Sequence, residues 1–345
     1  MRIALPLVLT ITAAASSAAR ADSSADTTIV LNQAGQDLAA DLGIDVPALE
    51  QKISDGVEAA LGVSAVGDFL KSFSNATSFS NRGVGVDYAS NSERAIIGIA
   101  GNVSLATDLD GDLPAIGAAL NLTLMAGLNL RRWNHPELTV YANTFYRGAE
   151  SDNLHGSIVS VGGHLQYKMF TPTQGWKNLL VQWGGIDFTS GLELAHWGFG
   201  LRGDISTDFD VTNDAGDMTT TITAATGGRI DLSSTTVTVP VEVTTNARLL
   251  YILSAYTGFG LDFQAGSSKL DLGVSGSLTG TRPGMTTPET IGSIEISGEG
   301  SHGPSLAGWH ALLGLQANIW RAKLFLQTTF SLDTFSLALG TRVVL

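Results

Sequence analysis

The chain has 345 residues, a formal net charge of −13, no cysteine and 15% charged residues. The acidic balance excludes a nucleic-acid partner, which needs a basic footprint. The missing cysteines exclude disulfides, thiolate metal sites and attachment through a lipidated N-terminal cysteine. Although 44% of the residues are hydrophobic, no segment past the N-terminus offers about 18 consecutive apolar residues, so no spanning helix is expected.

In chain order, Arg2 gives a weakly positive start and Ile3 to Ala15 an apolar core. Ala19-Arg20-Ala21 then forms an A-x-A cleavage pattern, so residues 1–21 are expected to be a secretory signal peptide. Residues 22–80 are expected to form an N-terminal helical segment and linker. Val46, Leu49, Ile53, Val57 and Leu61 recur at helical spacing, and Pro47 suits a first turn. Val63, Val66, Phe69, Leu70 and Phe73 make a second apolar face, and Ser/Asn-rich Asn75 to Arg82 reads as the linker. Such helices must bury one face somewhere. A plug inside a barrel is the favoured place.

From residue 81 to 345 the period changes to 2. Ile116, Ala118, Leu120, Leu122, Leu124, Ala126, Leu128 and Leu130 form one face of a strand. Asn121, Thr123, Asn129 and Arg131 lie on the other. The same contrast recurs over 270–279, 309–319 and 323–330. Further strands are expected at 94–106, 137–147, 154–169, 178–189, 191–205, 237–247, 250–264 and 289–299, with one or two more in Thr-rich 217–239. Several runs reach the roughly 10 residues that a tilted spanning strand needs, and their polar faces are small rather than charged. The fold class expected is all-β: a closed antiparallel transmembrane β-barrel of about 14 strands, range 12–16.

The last stretch, Phe335 to Leu345, alternates Phe335, Leu337, Leu339, Val343 and Leu345 with Ser336, Ala338, Gly340 and Arg342. It resembles the C-terminal insertion signal of bacterial outer-membrane β-barrels, in the register Ala338, Gly340, Val343, Leu345. Ala338 stands where a polar residue is usual, and Leu345 where Phe or Trp is commonest. The resemblance implies an outer-membrane location, with membrane lipids and the barrel-assembly machinery as partners. Gln182 to Glu193 and Val239 to Tyr251, with the Gly-rich last strand, resemble a surface-protein family first described as adhesins in Leptospira. That resemblance implies a surface location.

Chemistry-bearing motifs are sparse. Thr107-Asp108-Leu109-Asp110-Gly111-Asp112 spaces three acids like the start of a calcium loop, but position 119 is Ala where a closing Glu is needed. An acidic hairpin turn is the better reading. No H-E-x-x-H and no G-x-S-x-G occurs, so no catalytic residue, metal or cofactor is assigned and an enzyme is not expected. Arg131, Arg147, Lys168, Glu242, Arg248, Asp271 and Arg342 share registers with small or polar residues. They are the candidates for lining a lumen and setting its selectivity. The function expected is a passive pore or small-molecule transporter with a polar lumen, passing small solutes. The alternative is a surface-exposed adhesin or interaction protein anchored by its barrel. Oligomeric state is not legible.

Overall fold

The computed structural model describes residues 22–61, 66–90, 94–108, 115–171, 180–283 and 285–345. The expected signal peptide, Val63 of the second apolar face and the tip of the acidic turn at 109–114 lie outside the described residues.

Among the described residues the chain forms twelve strands, all paired antiparallel. They are β1 (Asp22–Leu31), β2 (Ala95–Asp108), β3 (Ala115–Asn129), β4 (Leu138–Glu150), β5 (Leu154–Phe170), β6 (Val181–Thr212), β7 (Thr219–Leu249), β8 (Leu253–Gly280), β9 (Glu289–His302), β10 (Ala307–Ile319), β11 (Ala322–Phe330) and β12 (Thr334–Val344). Ten pair in a ring, in the order β2-β3-β4-β5-β6-β7-β8-β10-β11-β12 and back to β2.

Ten is fewer than the fourteen expected: three are lost because β6, β7 and β8 each join two expected strands, and a fourth because β9 pairs outside the ring. β6, β7 and β8 run for 32, 31 and 28 residues, and each joins segments that read as separate strands. Gly266 shows why. Gly-Ser-Ser is a turn signal in sequence, but here Gly266 takes φ 152 and β8 continues through it. A Cβ at this position would lie 2.1 Å from the Thr235 carbonyl oxygen. The glycine therefore bends the strand against β7 instead of ending it.

The bend divides β8 between two neighbours. Residues 253–263 pair with β10 in the ring, and 268–280 pair with β9. β9 in turn pairs with β1. A five-stranded sheet, β1-β9-β8-β7-β6, thus extends beyond one rim. Helices α1 (Gln33–Leu42) and α2 (Val46–Leu61) cover one face of it. Leu38, Leu42, Leu49 and Ile53 pack there against Ile222, Leu278 and Ile294. Asn32 caps α1 by accepting from the Gly35 N–H, and Asp45 caps α2 by accepting from the Ala48 N–H. The strand β1 corrects the all-helical expectation for this region, since it forms only by pairing with a strand far along the chain.

A third helix, α3 (Val66–Phe79), leads into the ring. The expected linker at 75–82 is instead its last turns and a turn beyond, and every residue from 72 to 89 is buried. Ser, Asn and Thr usually mark solvated loops, but here they meet a polar wall. On the wall itself the pattern of a water-soluble protein is reversed. In β3, Leu120, Leu122 and Leu124 face out and are about half exposed, while Ala119, Asn121 and Thr123 face in and are buried. In β12, Phe335, Leu337, Leu339 and Val343 face out, and Ser336, Ala338 and Arg342 face in.

Candidate functional site

The site is the interior of the ring, where the segment after α3 crosses from one rim to the other. At the rim nearer the extension, Asn75 accepts from the Ser305 N–H at 2.9 Å. At the opposite rim, Ser90 accepts from Gln316 Nε2 at 3.0 Å. That second rim also carries Leu345, whose N–H donates to Ala95 at 2.8 Å, and the short turns around Tyr251 and Trp320.

Asn81-Arg82-Gly83 meets the wall on several sides. Arg82 forms an ion pair with Glu193 of β6 and another with Asp262 of β8 at 2.8 Å. His310 of β10 bridges the acids, with Nδ1 2.7 Å from Asp262 and Nε2 3.1 Å from Glu242. His164 lies 3.5 Å from Glu193. On the far wall, Asn102 Nδ2 donates to the Ser80 carbonyl at 2.8 Å and to that of Arg82 at 3.1 Å. The carboxylates of Glu193 and Asp262 compensate the buried guanidinium of Arg82, with Glu242 nearby through His310.

Farther along, Asp87-Tyr88 makes a second set of contacts. Arg342 of β12 donates to Asp87 at 3.2 Å and to the Val86 carbonyl at 2.7 Å. Its guanidinium lies 3.7 Å over the Phe325 ring. The Tyr88 hydroxyl donates to Glu242 at 2.7 Å. Asn246 Nδ2 donates to the Tyr88 carbonyl at 2.9 Å.

The wall and the segment are therefore complementary in charge. Acids on β6, β7 and β8 face Arg82, and a cation on β12 faces Asp87. Such groups can bind and hold a polar chain. Among the described residues no cluster of His, Asp and Glu is arranged to hold a metal ion.

Of the expected lumen residues, Glu242 and Arg342 lie in this network. Arg248 donates to the Ser90 carbonyl at 3.4 Å, and half-buried Lys168 pairs with Asp187 at 2.9 Å. Three fall elsewhere. Arg131 sits exposed in a 3-10 turn, because β3 ends at Asn129, whose side chain accepts from the Arg131 N–H. Arg147 keeps the inward parity of β4 but lies past its buried run, exposed at the rim. Asp271 lies on the extension, exposed, and pairs with Arg229 at 3.2 Å. Gly340 leaves room for the Phe325 ring, 2.5 Å from where its Cβ would be, while Val343 and Leu345 face out.

Arg82, Asp87 and Glu193 were missed. Arg82 precedes a short alternation, Val84, Val86, Tyr88, and Asp87 lies within it, which is a weak signal. Glu193 carries no local sign of its partner, 111 residues away.

A model of the family described as Lsa36-like matches residues 24–345. No curated protein matches the chain. Among solved structures, the translocator domain of the autotransporter NalP from Neisseria meningitidis is similar at 9% identity and TM-score 0.30, over 84% of this chain and 98% of that one. The CymD monoaromatic hydrocarbon channel is similar at 8% identity and TM-score 0.25, over 80% and 98%. The Pseudomonas putida toluene transporter TodX is similar at 9% identity and TM-score 0.25, over 79% and 93%. These likenesses are too low to carry an argument.

Proposed function

The chain belongs to the Lsa36-like family, and from that premise we propose that it is an outer-membrane surface protein whose ring anchors an interaction platform. In this reading the ring spans the membrane as a closed barrel, inserted by the assembly machinery and sheathed in lipid. Residues 72–90 plug it. The extension, with β1, α1 and α2, is displayed outside for a partner.

One observation carries the reading: the outward side chains of the ring are apolar and exposed, while its interior is filled by the chain's own polar segment. The first half favours hydrocarbon around the ring, since a ladder without lipid-facing edges suits a membrane. The second half favours an anchor over an open passage. If Leu345 lies on the periplasmic side, as the resemblance of the last strand implies, the extension lies outside.

The absence of cysteine makes the test clean. A membrane-impermeant maleimide applied to intact cells should label Asp214→Cys in the exposed β6–β7 turn. It should spare Arg321→Cys at the opposite rim until the cells are broken. Labelling of Arg321→Cys alone on intact cells would overturn the orientation. Recovery of the protein in the soluble fraction without detergent would overturn the anchor.

A gated pore is the second reading. Its support is that the segment from Ser80 to Ser90 pairs with no strand, and polar wall groups such as Lys168, Glu242, Arg248 and Arg342 would line the vacated lumen. Planar-bilayer recording separates the two. The pore reading requires conductance for small solutes and ions once the segment is loosened, and silence in every variant removes it.

A further inference from the structure

We propose that the uncovered face of the five-stranded extension is a docking surface for a basic, lysine- or arginine-rich polypeptide segment. The proposal rests on the surface-anchor reading and names the partner chemistry of that platform.

The two faces of this sheet are built differently. One is packed under α1 and α2. The other is uncovered among the described residues, and its register can be followed across all five strands. Asp204 of β6 pairs with Gly227 of β7, Gly227 with Ser275 of β8, Ser275 with Glu295 of β9, and Glu295 with Thr28 of β1. In this row the middle strands bring only a hydrogen and a hydroxymethyl group, and the flanking strands bring carboxylates.

The adjacent rows are Ser206, Ala225, Ser277 and Ser293 on one side, and Arg202, Arg229, Gly273 and Ser297 on the other. Ala225 and Ser277 continue the low floor, and so does Gly273, where an added Cβ would meet nothing within 4 Å. Asp208 and Asp210 continue one bank on β6. Glu299 continues the other on β9, with Asp26 beside it on β1. The result is a net acidic face whose floor is low along Gly227, Ala225, Gly273, Ser275 and Ser277, with Arg202 and Arg229 at one end of the low stretch. A cavity of about 660 Å³ lies there, lined by Asp204 and Glu295, by Gly227 and Ser275 between them, and by Arg202 and Arg229 at one end.

From β6 to β9 is three strand spacings, roughly 14 Å. That admits an extended chain, or one helix of about 10–12 Å diameter.

Charge selects the occupant. The cations on this face are Arg202, Arg229 and Lys269, and Arg229 is already engaged by Asp231 at 3.1 Å and Asp271 at 3.2 Å. The bank carboxylates Asp204, Asp208, Glu295 and Glu299 make no ion pair among the described residues, and all are exposed. Two copies of the same acidic face repel, which disfavours a second copy of the chain. Anionic lipid headgroups are repelled likewise. A segment whose basic side chains reach Asp204 and Glu295 across Gly227 and Ser275 is complementary in sign, and the low row between them leaves room for its backbone.

The test uses the full chain in detergent micelles and a fluorescent oligolysine peptide, with oligoglutamate as the comparison, followed by anisotropy at low and high salt. Oligolysine should bind, and binding should weaken as salt rises. Asp204→Asn with Glu295→Gln should weaken it about tenfold. Glu50→Gln with Asp55→Asn, which removes the same charge from α2 behind the sheet, should leave it nearly unchanged. Ser275→Arg, at an exposed floor position, should block it without touching a carboxylate. Equal loss in the α2 variant would reduce the effect to bulk charge and overturn the site. So would full binding by Ser275→Arg, or no binding by the parent. The titration does not depend on orientation in a cell. Its failure therefore leaves the labelling result standing, and failed labelling leaves the titration interpretable.

Discussion

Arg82 and Asp262 meet at 2.8 Å in the middle of the ring, both buried. One belongs to the inner segment and the other to the wall, so the pair ties the segment to β8 as its pairing with Glu193 ties it to β6. Removing a charge from such a site costs more than the pair contributes, because the remaining partners stay buried without compensation.

Arg82→Met should therefore destabilise the protein by about 3–5 kcal/mol, read as urea unfolding in micelles. Adding Glu193→Gln and Asp262→Asn should restore much of the loss, since the stranded carboxylates are then gone. A triple variant as unstable as the single one would mean that packing, not charge, dominates at this position.

Leu122 and Thr123 test the wall. They are adjacent on β3, one facing out and about 43% exposed, the other facing in and buried. If hydrocarbon surrounds the ring, Leu122→Arg should cost about 2–4 kcal/mol of folding free energy in lipid, while Leu122→Phe should be tolerated. An arginine tolerated at this position in vesicles would contradict a membrane around β3.

These two residues also mark how much was legible. Strict alternation in β3 and β12 carried the inward and outward faces, because a two-residue period is local. Strand number was not legible, since ending or bending at Gly266 depends on what β7 places beside it. Nor was β1, whose Ile29 and Leu31 count only when Ile294 and Gly292 come opposite. The site was half legible. Glu242 and Arg342 followed from parity, whereas Arg82 and Asp87 lay in a stretch whose Ser, Asn and Gly composition signals a loop to any local reading. Arg131, Arg147 and Asp271 failed because parity says nothing about where a strand ends or leaves the ring.

Gly266 supplies a third prediction. A side chain there meets the Thr235 carbonyl, and the backbone conformation is one that β-branched residues avoid. Gly266→Val should displace the outer halves of β7 and β8 and expose the extension to protease. Ring insertion, read as heat-modifiable gel mobility, should persist. Equal loss of both would show that the ring and the extension form together.

Arg342 supplies the last, and it separates a latch from a filter. Its guanidinium donates to Asp87 and to the Val86 carbonyl while lying over Phe325. A planar fork makes these contacts together, and a lysine ammonium replaces only the charge. If Arg342 acts as a latch on the inner segment, Arg342→Lys should raise the frequency of channel openings in a planar bilayer with ion preference unchanged. Asp87→Asn should do the same from the other side of the contact. If Arg342 acts instead as a filter in an already open lumen, Arg342→Lys should leave both properties nearly intact, and only Arg342→Gln should shift preference toward cations. The buried inner segment and the two-sided contact favour the first outcome, and coincident effects of Arg342→Lys and Asp87→Asn on opening are its signature.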